Sequence, residues 1–467
     1  MVALAEYAAL LSSNRAYTLT FSAYAVNNFG NWMSFVACLQ LVEAYAPEGQ
    51  SSLAVSAYLV SRLLPPLVLA PILGSVVDKI DKRRGMIRAD LAAAAVVLGL
   101  ICVDSPAWLP LLFPLVFAQF ALAALYDPLR RSLQPRLVPK EQLQVATTLD
   151  GVAWSTIAAL AAALGGAVTS SLGVSWCFAL DTGSYLLSAL LVSMVDPKLS
   201  ESVESAEDFA TEREGGATGA CADVAEGRKQ LQRSPLLLLV CFAKAFGALV
   251  WGAADVLAVR FSETPQTFGQ LGDSGQTLGY IFSAVGVGCL LGPTLASKAA
   301  GDVQDSDSGL LGVIACGFGL LFVGYLAMVL AIRMERIEPV LLSSALRSSG
   351  SSIIWIYSTL LLQLRGEEAV LGRLFAFEIA VYTIFEGGST VWGGVAFDVF
   401  NVSLKDVCVL QTSLAGVVML PWCWFWFSRR RLAGGRSKVK YSVVSPHELD
   451  DVDAAGAGDI EFDDDGT

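Results

Sequence analysis

Charged side chains stand inside long apolar stretches of this sequence, among them Arg62, Asp150 and Asp181 in the first half, and Lys244, Asp255, Arg347, Glu378 and Glu386 in the second. Holding a charge away from water is costly, so such residues default to pairing, binding or proton movement. Desolvation favours the neutral form of a carboxyl, which is what an acid that loads and releases a proton requires. Asp255 and Glu386 are the candidates for that acid, with Lys244, Arg347 or Arg62 tuning it. The competing reading is a static ion pair that locks helices together. Lys244 and Asp255 lie 11 residues apart, so on a helix they share a face at about 16 Å separation and each needs another partner. Glu378 and Glu386 also fall near one face. Asp150, near the end of its stretch, and Asp181 read as structural acids.

Polar and aromatic groups accompany these charges. Asn27, Asn28 and Asn31 share one helical face. Amides there suit hydrogen bonding to a substrate, with helix–helix adhesion as the alternative. Trp251, Trp355 and Tyr357 suit a flat lipophilic substrate, with packing as the commoner role.

The elements that must carry these groups are membrane spans. Of 467 residues, 54% are hydrophobic and only 16% charged, a composition outside the soluble range. A crossing needs about 20 apolar residues. Twelve runs meet that length approximately: 18–42, 53–77, 86–103, 107–127, 145–170, 174–195, 235–259, 276–298, 309–332, 338–362, 372–398 and 404–427. With both termini in the cytoplasm, the inner segments carry 24 Lys/Arg and the outer loops four, Arg260, Arg333, Arg336 and Lys405, as the positive-inside rule demands.

The expected organisation is an N-terminus at 1–17, a six-span bundle at 18–195, an acidic linker at 196–234, a second six-span bundle at 235–427 and a tail at 428–467. The linker and tail are too polar to bury a core and read as disordered. Residues 196–234 and 437–467 hold nearly all of the net charge of −12: each carries nine Asp/Glu, and outside them 25 acids stand against 24 bases. The acidic balance therefore points to no nucleic-acid partner. The nine cysteines are scattered singly, and the only histidine, His447, lies in the tail. A histidine-based metal site or Ser-His-Asp triad is excluded, no nucleotide loop occurs, and neither an enzyme nor a cofactor is expected. Residues 1–17 lack a basic segment and cleavage site and do not read as a signal peptide. Tyr441-Ser442-Val443-Val444 matches a four-residue sorting signal, which leaves plasma and endolysosomal membranes both open.

The turn between the second and third runs reads Gly74-Ser75-Val76-Val77-Asp78-Lys79-Ile80-Asp81-Lys82-Arg83-Arg84-Gly85. A basic turn fits any cytoplasmic loop. Its order of Gly, Asp and a basic cluster resembles the loop between helices 2 and 3 of the major facilitator superfamily. The Asp81-Lys82-Arg83-Arg84 form is most similar to the drug- and siderophore-exporting branch of proton antiporters. Pro128-Leu129-Arg130-Arg131 through Val138-Pro139, Phe178-Ala179-Leu180-Asp181-Thr182-Gly183-Ser184-Tyr185, the glycines from Gly279 to Gly292, and Gly372-Arg373 extend the resemblance over 18–427.

The resemblance implies that Gly74, Asp78 and Arg83 latch the two halves in the outward-facing state. Asp127 is placed to pair with Arg83, in competition with Arg130 and Arg131. Arg62, Lys244, Asp255, Arg347, Glu378 and Glu386 belong to spans that line or flank the central cavity. One departure concerns the fifth span, where the branch carries Gly-Pro and this chain reads Ala161-Ala162-Ala163-Leu164-Gly165-Gly166. The proline kink is lost there, which leaves the direction of transport open.

The expectation is thus an all-α membrane protein of twelve helices in two pseudo-symmetric bundles, monomeric, moving a small amphipathic solute by alternating access with proton-coupled export. The alternatives are a facilitative or uptake carrier, including a lysolipid carrier, and a non-transporting membrane scaffold or sensor.

Overall fold

The computed structural model describes residues 4–139, 142–199, 235–263, 273–300, 307–365 and 368–434. The expected linker beyond residue 199 and the tail beyond 434, with its tyrosine motif, lie outside the described residues. Residues 1–426 pack as one compact unit and 427–467 as a second, in which 427–434 are helical.

All twelve expected runs fall on helix. The helices are α1 (Leu4–Ser13), α2 (Arg15–Tyr45), α3 (Ser51–Lys79), α4 (Lys82–Leu100), α5 (Leu109–Leu137), α6 (Leu143–Leu172) and α7 (Val174–Ser193). After the linker come α8 (Pro235–Cys241), α9 (Ala243–Trp251), α10 (Ala254–Ser262), α11 (Ser274–Ala300), α12 (Asp307–Met334), α13 (Ile337–Arg365), α14 (Glu368–Asp398) and α15 (Leu404–Gly434). Local chemistry sets several boundaries. Asn14 accepts from the Tyr17 N–H to start α2, and Asp81 accepts from the Arg84 N–H (2.6 Å) to start α4. Gly173, at φ +94°, turns α6 into α7. Asp406 donates its N–H to Ser403 Oγ in the first turn of α15.

Among the described residues, eight stretches are long and apolar enough on their own to cross a membrane. The four expected runs that are not are those on α2, α4, α13 and α14. They carry Asn27, Asn31, Asp90, Arg347, Glu378 and Glu386, which dilute their hydropathy.

The seventh run, expected as one helix over 235–259, is broken into α8, α9 and α10. Breaks at membrane depth require new partners for the freed carbonyls. α14 and α12 supply them: Ser389 Oγ donates to the Leu249 carbonyl (2.8 Å), Thr390 Oγ1 to that of Gly252 (2.8 Å), and Tyr325 OH to that of Val250 (2.9 Å). Gly252 permits the approach, because a Cβ there would stand 2.6 Å from the Glu386 carbonyl oxygen.

α2, α4, α5, α6 and α7 pack on one another before the linker, and α12 on α13, α13 on α11 and α9 on α14 after it. The two sets meet along α6 with α11 and α3 with α14. The first seam is built on small residues, as in lipid-embedded helix pairs. A Cβ on Gly279 would lie 2.7 Å from the Ala162 carbonyl oxygen and 3.1 Å from Gly166 Cα. Ser283 Oγ adds a bond to the Ala159 carbonyl (2.6 Å). Gly279→Leu is therefore expected to destabilise the fold by about 1–3 kcal/mol or more through overpacking. Thermal unfolding in detergent reads the change, and an unaltered midpoint would contradict the close seam.

Candidate functional site

A cavity of about 190 Å³ lies among α2, α3, α4, α5, α6 and α7. Asn27, Asn28, Asn31, Arg62, Asp90 and Gln119 supply its polar wall, and Trp32, Phe120 and Trp154 its aromatic wall. Trp32 meets Trp154 edge-on with centroids 5.8 Å apart. The Arg62 guanidinium lies over the rings of Phe35 (4.1 Å) and Phe120 (4.7 Å), a favourable use of aromatic faces for a desolvated cation.

The amides are joined to each other and to two acids. Asn31 Nδ2 donates to Asn27 Oδ1 (2.7 Å), and Asn27 Nδ2 donates to Asp90 Oδ1 (3.0 Å). Ser188 Oγ donates to Asp90 Oδ2 (2.7 Å). Asn31 Oδ1 accepts from Gln119 Nε2 (2.9 Å) and from Tyr185 OH (3.0 Å). Gln119 Nε2 also reaches Asp181 Oδ2 (3.5 Å), while Ser184 Oγ donates to Asp181 Oδ1 (3.2 Å). Asn28 instead donates to the Tyr24 carbonyl of its own helix (2.9 Å). Sequence reasoning named Asn27, Asn28, Asn31 and Asp181 and passed over Asp90, Gln119 and Tyr185. Asp90 was findable, since it is an acid within the third apolar run. Gln119 and Tyr185 carried no comparable signal.

Beyond the linker, Lys244 Nζ pairs with Glu378 Oε2 at 2.8 Å and donates to Thr359 Oγ1 at 2.8 Å. It also sits 4.5 Å from the centre of the Trp355 ring. The two side chains are 3% and 0% exposed, so this is a fully desolvated pair. Glu386 faces Tyr382 and Trp251 and lies within electrostatic range of Asp255 and Arg62. Asp255, in the first turn of α10, is within range of Arg347 and Arg62, and Arg347 lies 5.8 Å from the centre of the Tyr325 ring. Arg62, Asp255, Arg347 and Glu386 thus form one charge cluster where the two sets of helices meet. Tyr357 is apart from both groups, 3% exposed in the apolar core.

At the linker end, Arg130 Nη1 pairs with Asp150 Oδ2 (2.9 Å) and its guanidinium stacks 3.9 Å over Tyr24. Arg83 donates to the Ser193 carbonyl at the end of α7. Asp127 lies within range of Arg130 and Arg131 and on the cavity wall. Gly74 and Asp78 fall on α3, and their side chains lie outside the described residues.

The opposite end is stitched shut. Arg260 joins Glu263 (2.7 Å) and Asp398 (2.6 Å). Asp398 Oδ2 also accepts from the Leu53 N–H at the start of α3 (2.7 Å), and Glu263 Oε1 from Ser51 Oγ (2.6 Å). Ser274 Oγ donates to Glu43 (3.1 Å), and Ser170 Oγ to Asp273.

Among curated proteins, the chain is 23% identical over 295 residues to the uncharacterized MFS-type transporter YfiS of Bacillus subtilis, covering 62% of this chain and 65% of that one. It is 27% identical over 240 residues to the putative bacilysin exporter BacE of Bacillus subtilis, covering 50% and 55%. It is 29% identical over 163 residues to macrolide efflux protein A of Streptococcus pyogenes, covering 33% and 39%. The chain thus matches between about two fifths and two thirds of the length of these relatives. Among solved structures, a bacterial homologue of the iron transporter ferroportin in its inward-facing state aligns with TM-score 0.62 at 16% identity, over 87% of this chain and 98% of that one. The POT family transporter PepTSo aligns with TM-score 0.68 at 11% identity, over 90% and 99%. These likenesses carry the fold, and the model of the Major Facilitator Superfamily matches residues 20–384. With twelve spans, a polar cavity among them and that match across most of its length, the chain is a member of the Major Facilitator Superfamily, an integral multi-pass membrane protein.

Proposed function

We propose that the chain is a secondary transporter that exports a small amphipathic organic solute by alternating access, coupled to protons. The observation that carries this reading is a polar, charged and aromatic cavity in a bundle whose two sets of helices are joined by ion pairs and hydrogen bonds at one end. Trp32, Phe120 and Trp154 suit the apolar part of a solute, and Asn28, Asn31 and Gln119 suit its polar groups. The helices group as two six-span bundles, 18–195 and 235–427, with the linker, both termini and the basic turn on the cytoplasmic side. On that orientation the end closed by Arg260, Glu263 and Asp398 faces outward, and the arrangement is the inward-facing member of the cycle. Asp255 and Glu386 exchange the coupling proton, in a field set by Arg62 and Arg347. The bacilysin and macrolide exporters among the relatives favour export and a drug-like solute class.

The test is proton flux in proteoliposomes that hold the purified full chain and a trapped pH dye. Ethidium, erythromycin and a lysolipid serve as probes. The expected result is proton movement driven by a probe gradient and lost in Asp255→Asn or Glu386→Gln. Probe movement without protons would establish a facilitative carrier and overturn the coupling. Neither movement with any probe would favour a membrane scaffold.

A further inference from the structure

Two acids of the first-half network have no place in the coupling scheme above. Asp90 on α4 and Asp181 on α7 are 1% and 0% exposed. Glu378, equally buried, pairs with Lys244, and the part-buried Asp150 and Asp398 pair with Arg130 and Arg260. Among the described residues, no Lys or Arg lies within salt-bridge distance of Asp90 or Asp181.

The groups that face them are neutral. Around Asp90 stand Asn27 of α2, Tyr126 of α5, and Tyr185 and Ser188 of α7. Around Asp181 stand Ser34 and Cys38 of α2, Gln119 of α5, and Cys177, Ser184 and Tyr185 of α7. The charged residues Arg62 and Asp127 share the cavity wall with Asp90, and Arg130 is within electrostatic range of Tyr126, but none makes an ion pair with Asp90 among the described residues. A carboxylate held so far from water needs a neutralising partner, and the surroundings supply none.

The geometry also separates the two partners such a site could take from the cavity. A metal ion needs converging lone pairs. Here each acid oxygen is met by a donor: Asn27 Nδ2 and Ser188 Oγ at Asp90, Gln119 Nε2 and Ser184 Oγ at Asp181. The described residues also contain no group of three or more metal-ligating side chains. Asp90 opens on the cavity, and Asn27, Asn31 and Gln119 connect it to Asp181 without a gap.

We propose that Asp90 and Asp181 are a proton-binding site of the first half, loaded from the cavity at Asp90 and held in register with the solute-binding amides by Asn27, Asn31 and Gln119. Each carboxylate takes up one proton as it becomes neutral and releases one as it becomes charged, and no other bond changes. Asn31 touches both the acids' network and the cavity, so a solute that draws its amide away alters what holds the protons. The proposal rests on the proton-coupled reading and adds a second pair of acids to it.

The experiment uses the same proteoliposomes with ethidium as probe and compares the wild type with Asp90→Asn, Asp181→Asn and Gln119→Leu. Asp104→Asn, in an exposed loop, is the control. The expected result is loss of ethidium-driven proton flux in both Asn variants, with ethidium exchange across the membrane retained in Asp181→Asn, which lies off the cavity wall, and slowed flux in Gln119→Leu. Coupled flux equal to wild type in both Asn variants would overturn this site while leaving proton-coupled export standing. Absence of proton flux in the wild type would overturn export coupling and the site together. Flux that follows a sodium gradient in place of the proton gradient would overturn the assignment of the ligand. If an Asn variant fails to fold, infrared difference spectra of the wild type on acidification decide the matter. Carboxyl C=O bands that appear, and are perturbed by Gln119→Leu, support the site, and their absence overturns it.

Discussion

Replacing Lys244 with methionine is expected to destabilise the protein by about 3–5 kcal/mol, the range for leaving a buried ion without its partner. Glu378 is fully buried, and its Oε2 takes its bond from Lys244 at 2.8 Å. Its other oxygen, Oε1, has no hydrogen-bond partner among the described residues, so nothing stands ready to replace the ammonium. Lys244 of α9 also ties two further helices together, through Glu378 of α14 and through Thr359 and the ring of Trp355 of α13. Losing it loosens a seam as well as a charge pair. The double variant Lys244→Met with Glu378→Gln is expected to regain most of the stability, because removing both charges removes the desolvation penalty on each. Thermal unfolding of the single and double variants in detergent measures this. A single variant as stable as wild type would show that the pair contributes nothing, and a double variant no better than the single would show that Lys244 acts through packing alone.

The second large effect is expected at the closed end. Asp398→Ala removes two bonds to one buried carboxylate, from the Arg260 guanidinium at 2.6 Å and from the Leu53 N–H at 2.7 Å. The first ties α14 to α10, and the second holds the start of α3 to the end of α14, across the seam that alternating access must break. Hydrogen bonds to charged groups are worth about 1.5–3 kcal/mol each, so the closed arrangement loses about 3 kcal/mol or more, a population shift on the order of a hundredfold. Arg260→Ala is expected to shift it less, because Asp398 then still accepts from Leu53. Spin labels on cysteines placed at the exposed Glu48 and Val399, with the native cysteines replaced, report the separation of the two sides. A long-distance population that grows in Asp398→Ala is the expected outcome, and identical distance distributions would show that the stitching at this end does not hold it closed.

The reading from sequence and the folded chain agree where the physics is local. Transfer of a segment into lipid depends on its own side chains, so the twelve runs, their order and the Lys/Arg bias could be read directly. So could the presence of costly groups in them: Arg62, Lys244, Asp255, Arg347, Glu378 and Glu386 announce themselves by charge alone, and the glycines of α11 by their size. The stretch from Gly74 to Gly85 carried the resemblance to the family, because its residues are sequence neighbours at the end of α3, the start of α4 and the turn between them.

What each group touches was settled elsewhere in the chain. Lys244 meets Glu378 across 134 positions, and Gln119 meets Asn31 across 88. Periodicity within one helix says which face a residue occupies and nothing of the helix opposite. For the same reason Tyr357, on a cavity-lining span by resemblance, turns out to fill the core, while Asp90, overlooked on a short span, is an acid at the cavity wall. The breaks in the seventh run were invisible because hydropathy counts side chains, whereas a broken backbone is tolerated only where Ser389, Thr390 and Tyr325 arrive from other helices to satisfy it. By itself the sequence determined that this chain lives in a membrane as twelve helices and which of them carry charge. The tertiary structure decided which charges neutralise each other and that Asp90 and Asp181 stand among neutral groups, because pairing energy depends on distance and desolvation between segments far apart in the chain.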